Sequence, residues 1–106
     1  MKLQLHTVSR DGVLYKATAE YADGSVTVKA GSKVNILPSE NFKASPEVES
    51  KRNDSSIVDL NGIVLKDIVF SSLSTAACFV TGRSANGMIT WKTPDNRYVR
   101  YAIKGE

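Results

Sequence analysis

Apolar and polar residues alternate through the first third of the chain. In VLYKATAEY, Val13, Tyr15, Ala17, Ala19 and Tyr21 alternate with Leu14, Lys16, Thr18 and Glu20. A period of two predicts a strand with one buried face. LQLHTVSR reads as a preceding strand, joined through Asp11-Gly12. Asp-Gly suits the central positions of a type I′ turn, where positive φ is needed. Ala22-Asp23-Gly24 is a second turn, and Val26, Val28 and Ala30 share a face of SVTVKA. Gly31-Ser32 interrupts the pattern as a bulge or sharp bend before KVNIL resumes it. The prediction is an antiparallel meander of three strands with a kinked continuation.

The pattern then changes. Residues 38–56 are polar, and Ser45-Pro46-Glu47 offers a hydroxyl cap, a proline and an early acid. A second helix within 46–60 is one reading, docked by Val48, Ile57, Val58 and Leu60 and stopped at Asn61-Gly62. A long loop is the other. IVLKDIVF (63–70) reads as a short strand or an extended approach. Ser71 or Ser72 can cap a helix in which Leu73, Ala76, Ala77 and Val80 fall on one face, with Gly82 as terminator. Alanines there let the helix lie close to a sheet. MITWK and RYVRYAIK are predicted to form a terminal hairpin around Thr93-Pro94-Asp95-Asn96, with Trp91 buried against Val99, Tyr101 and Ile103. The fold class is therefore α+β: an antiparallel sheet, from the N-terminal meander and the C-terminal hairpin, packed on one short Ser/Ala-rich helix.

The 106 residues suit a single domain, 1–106. No run of about 18 apolar residues exists to cross a membrane, and MKLQLHTVSR lacks a signal peptide's apolar core. One cysteine, Cys78, and one histidine, His6, argue against a disulfide, a His/Cys metal site and a histidine-based triad. A cytoplasmic, non-enzymatic protein without metal or cofactor is expected, with Cys78 as a buried, inert hydrophobe. The net charge of +3 is unevenly placed. Residues 1–82 carry nine basic and nine acidic side chains, whereas Arg83, Lys92, Arg97, Arg100 and Lys104 face only Asp95 and Glu106. Such a local excess attracts phosphate.

Two groups of residues can serve either fold or binding. Ser71, Ser72 and Ser74 satisfy helix amides, or the same helix start holds a phosphate. Arg83, Ser84 and Asn86 belong to a tight turn in which Asn86 and Gly87 supply positive φ. A turn has no use for an arginine, so Arg83 is a candidate phosphate or base-edge donor. Strand alternation would put Thr90, Lys92, Tyr98, Arg100 and Lys104 on one exposed face, suited to phosphate contact with Tyr98 stacking or touching sugar. The structural alternative is an edge hairpin protected by charge.

FSSLSTAACFVTGRSANGMITWK (70–92) resembles the F-S-S-P-S-x-A-A…G-R-S-x-N-G-x-x-x-W-K signature of a small domain of unknown function. That domain occurs at the C-terminal end of many bacterial GIY-YIG nucleases and other restriction-linked proteins. It is similar to the RAMA module (restriction enzyme adenine methylase associated). DGSVTVKAGSKV (23–34) resembles a second family block, so the likeness covers about 17–92. Leu73 departs from the family's usual proline. The resemblance implies a DNA-binding or modified-DNA-reading module, with double-stranded DNA as partner, in bacterial or phage restriction-modification or mobile-element biology. No nuclease or methylase segment accompanies it, so a free-standing module is expected. The alternative is a protein-interaction module that regulates or inhibits a nuclease or methylase. A structural remnant is a weaker third reading.

Overall fold

Alternation in the first strands puts their apolar residues on one side, and four strands combine those faces into a single floor. The computed structural model describes residues 1–8, 14–36 and 42–103. The strands are β1 (Lys2–Val8), β2 (Leu14–Ala22), β3 (Ser25–Val28) and β4 (Ile68–Phe70), antiparallel in the order β1-β2-β3-β4. Leu3 pairs with Ala19, Leu5 with Ala17, Ala19 with Val28 and Val26 with Phe70. All of these are buried, as are Tyr15 and Ile68. The expected Asp11-Gly12 turn lies outside the described residues. The second turn is as predicted, with Asp23 at φ 53° and Gly24 at φ 81°.

The break after Val28 is a bend that hydrogen bonding bridges. Gly31 adopts φ 90°, and the chain returns to β2 at Lys33, which exchanges backbone bonds with Lys16. Between them the Ser32 hydroxyl accepts the Thr18 N–H at 3.1 Å, standing in for a missing backbone partner. This is the kinked continuation expected from Gly31-Ser32.

One helix, α2 (Leu73–Thr81), lies on the floor, and a second, α1 (Pro46–Arg52), packs against it. In α1, the Ser45 hydroxyl accepts the Val48 N–H. The helix stops at Arg52, well short of Asn61-Gly62. The Asp54 carboxylate takes the Ser56 N–H and hydroxyl, a local alternative that competes with helix. Ile57 is buried, but Leu60 is 99% exposed, contrary to its expected docking role. In α2 (Leu73–Thr81), Leu73, Ala76, Ala77, Phe79 and Val80 are buried and α2 lies on β2, β3 and β4. The Phe70 and Phe79 rings meet at 4.9 Å.

Both ends of α2 are tied down. Ser72 caps its start, accepting the Thr75 N–H at 3.1 Å. Its last four carbonyls all find donors: Cys78 from Gly82, Phe79 from the Arg52 guanidinium, Val80 from the Asn35 N–H and Thr81 from the Asn35 side chain. Helix ends otherwise leave these groups orphaned. Gly82 adopts φ 69°, the left-handed stop expected of it. Cys78 is half-buried rather than buried.

The predicted terminal hairpin is reduced to its centre. Lys92 pairs with Tyr98 across the 93–97 turn and exchanges both backbone bonds with Gln4, at 2.7 and 2.8 Å, on the outer edge of β1. Its arms are helical: a 3-10 turn, η1 (Gly87–Ile89), and α3 (Val99–Ile103). The Asn86 side chain takes the Met88 N–H, and the Ile89 and Trp91 N–H groups bond back to Asn86 and Gly87. Those donors are then unavailable to a strand. Trp91 and Val99 are buried as expected, but Tyr101 and Ile89 are exposed.

Candidate nucleic-acid interface

The sequence segment 70–92 forms a clasp before it forms a site. Ser74 Oγ accepts the Gly87 N–H at 3.0 Å, and the Trp91 indole N–H donates to Leu73 O at 3.1 Å. Gly87 has no positive φ, which corrects the expectation that the Asn-Gly pair needs one. Its hydrogen is required by space, because the backbone of Leu73 and Ser74 occupies the position of a side chain. Ser71 donates to Glu47 at 3.2 Å and Ser72 caps α2, so all three serines hold the fold together. An acidic side chain beside Ser71 opposes a phosphate at this helix start. Leu73 is the first helical residue, where proline is well accepted.

The clasp sets the direction of the turn that follows α2. Gly82 reverses the chain and delivers Arg83 to the edge of β1 and β2, where its guanidinium donates to the Tyr15 hydroxyl at 2.9 Å. The Lys92–Gln4 pairing brings Lys92 to the same place from the other side. Between them lies an open cleft of about 640 Å³. Its walls include Arg83, Ser84, Lys92 and Tyr98, four of the residues singled out in the sequence. The Lys92 ammonium stands 5.0 Å from the Tyr98 ring centroid.

Charge in the cleft is one-sided. Among the described residues, no carboxylate lines it and neither Arg83 nor Lys92 has a carboxylate within 4.0 Å. Arg97 is neutralised by Asp95 at 2.9 Å, outside the cleft. Thr93 and Arg97 hold the Asp95 carboxyl below its ordinary value, with the Thr93 hydrogen bond the larger cause. Two cations flanking a concave site are suited to an anion.

Other candidates fall elsewhere. Asn86 is spent capping η1. Arg100 lies 5.9 Å from the Tyr101 ring and does not line the cleft. The helical turn of α3 replaces the strand alternation that would have aligned Arg100 with Lys92. Lys104 lies outside the described residues. Thr90, grouped with Lys92 and Tyr98 by the sequence, also lines the cleft, whereas sequence reasoning missed Gln4, Tyr15 and Asn96. Tyr15 carried a weak signal, as a tyrosine on the buried face of its strand whose hydroxyl needs a partner. No group of His, Cys, Asp and Glu among the described residues is arranged to hold a metal ion, and no described helix is long and apolar enough to cross a membrane.

Fold and site together define a small α+β domain with a cation-flanked cleft beside the edge of its sheet. The chain belongs to the family described as "Domain of unknown function (DUF4357)", which matches residues 8–102. No curated protein and no solved structure matches it.

Proposed function

We propose that this is a non-catalytic DNA-binding module, working in the cytoplasm in a restriction-modification or mobile-element setting. The observation that carries the reading is the convergence of Arg83 and Lys92 on one cleft that no carboxylate lines among the described residues. The resemblance of residues 70–92 to the domain of GIY-YIG nucleases and to the RAMA module supplies the setting. Cation–phosphate contacts release counterions, so affinity through them falls steeply with salt. Sites of this kind bind non-specifically at about 10⁻⁴–10⁻⁶ M at physiological salt. A mobility-shift series with plain and adenine-methylated duplexes at two salt concentrations tests the reading. Salt-sensitive retardation supports it, and a preference for the methylated duplex adds modification reading. Absence of any shift at low salt refutes it.

A second reading, docking on a nuclease or methylase, draws on a different surface. Leu60 is almost fully exposed, and Ile36 and Leu65 are also exposed. A protein partner that covered them would remove this apolar surface from water.

A further inference from the structure

We propose that the cleft receives an unpaired nucleotide, its phosphate held between Arg83 and Lys92 and its base against the amide and tyrosine side chains of the walls. The proposal rests on the nucleic-acid reading above and narrows its ligand.

Shape is the first argument. The two cations are not spread over a flat face, as duplex phosphates would require, but flank a concavity of about 640 Å³. That falls within the roughly 300–1,000 Å³ of sites that enclose small molecules. A duplex keeps its bases stacked and presents only a ridge of phosphate and sugar to such a cleft. An unpaired nucleotide can enter it whole.

The chemistry of the walls is the second argument. Gln4 and Asn96 contribute carboxamides, each with donor and acceptor atoms, and Ser84 and Thr90 contribute hydroxyls. The Gln4 amide nitrogen donates to Thr93 O, and its oxygen accepts from no donor among the described residues. Phosphate alone needs only donors; acceptors suit the edge of a base. Tyr98 is 39% exposed and supplies an aromatic face. Lys92 stands over that ring in the free protein. Its move to a phosphate would uncover the ring for stacking.

Arg83 is positioned in advance by its bond to Tyr15, itself fully buried in the sheet. One cation is therefore fixed and the other adjustable, which suits capture of a flexible strand.

Fluorescence anisotropy with three labelled DNAs of one sequence tests this: a single strand, a perfect duplex and a duplex with a one-nucleotide bulge. The single strand and the bulged duplex should bind at least about tenfold tighter than the perfect duplex, as expected when one base stacks on an aromatic side chain. Tyr98→Leu should remove most of that advantage, bringing the single strand and the bulged duplex close to the perfect duplex. Ser84→Trp, which fills the cleft, should weaken binding of all three DNAs, with circular dichroism confirming that both variants fold. Equal binding of all three DNAs, still lost in Arg83→Ala/Lys92→Ala, would overturn the unpaired-nucleotide proposal and leave the phosphate site standing. No binding of any of the three at low salt would overturn both.

Discussion

Gly87 lies directly on the backbone of Leu73: a Cβ added to Gly87 would sit 2.2 Å from the Leu73 carbonyl carbon. The obstacle is backbone, so it cannot rotate away. Gly87→Ala must push the 86–91 turn off the start of α2, and with it the Trp91 indole. Overpacking of a tight interior costs about 1–3 kcal/mol, and this position should fall at the upper end. Urea unfolding measures it; an unchanged midpoint would show that the turn does not press on α2.

Trp91→Phe keeps a large aromatic ring in the core but removes the donor to Leu73 O. A buried carbonyl left without its partner costs about 1–3 kcal/mol. The variant should unfold at lower urea with an unchanged m-value. Stability equal to that of the native protein would show that the indole bond contributes nothing.

Ala76 and Ala77 are both fully buried where α2 meets the sheet. Ala76→Leu and Ala77→Leu should each lower stability by about 1–3 kcal/mol, since the added methylenes have no space. Thermal melting is sufficient to check this. If neither substitution lowers the melting temperature, the close approach of helix and sheet is wrong.

This helix was legible in the sequence because its cap, its apolar face and its glycine stop are all local signals, at Ser72, Leu73 to Val80 and Gly82. The meander was legible for the same reason. The terminal hairpin was not. Alternation in MITWK suggested a strand, but the Asn86 side chain and the backbone of Gly87 claim the donors that a strand would use. At Gly87 the sequence suggests a need for positive φ, whereas the close approach that requires glycine is to Leu73, fourteen positions away. The cleft was half legible. Arg83, Ser84, Lys92 and Tyr98 were chosen for charge and chemistry, and they converge. Their partners Gln4 and Tyr15 come from the other end of the chain, and no local pattern links them to residue 92. Arg100 was grouped with Lys92 by a strand period that α3 does not follow.

Asp67 ties the end of β3 to the approach to β4. Its carboxylate accepts the Ala30 N–H at 2.9 Å and lies 3.4 Å from the Lys29 ammonium. The Ala30 hydrogen bond, opposed by desolvation and aided by Lys29, holds its pKa below the ordinary 3.8. A depressed folded-state pKa stabilises above the unfolded value, and that stability is lost as pH falls through the folded value. The melting temperature should therefore drop more steeply below pH 3.8 in the native protein than in Asp67→Asn. Identical acid limbs would show that the carboxylate carries no such linkage.

The proposed binding of DNA needs Arg83 and Lys92 to act as one site. Its most direct test is the salt dependence of DNA binding for the native protein, Arg83→Ala/Lys92→Ala and Arg100→Ala, each followed by fluorescence anisotropy from low to physiological salt. Each phosphate contact removed should lower the slope of log K against log salt by about one, so the double variant should lose about two and bind far more weakly at low salt. Arg100→Ala, outside the cleft, should retain the native slope. A double variant that binds with the native affinity and slope would contradict the assignment of this cleft as the nucleic-acid site.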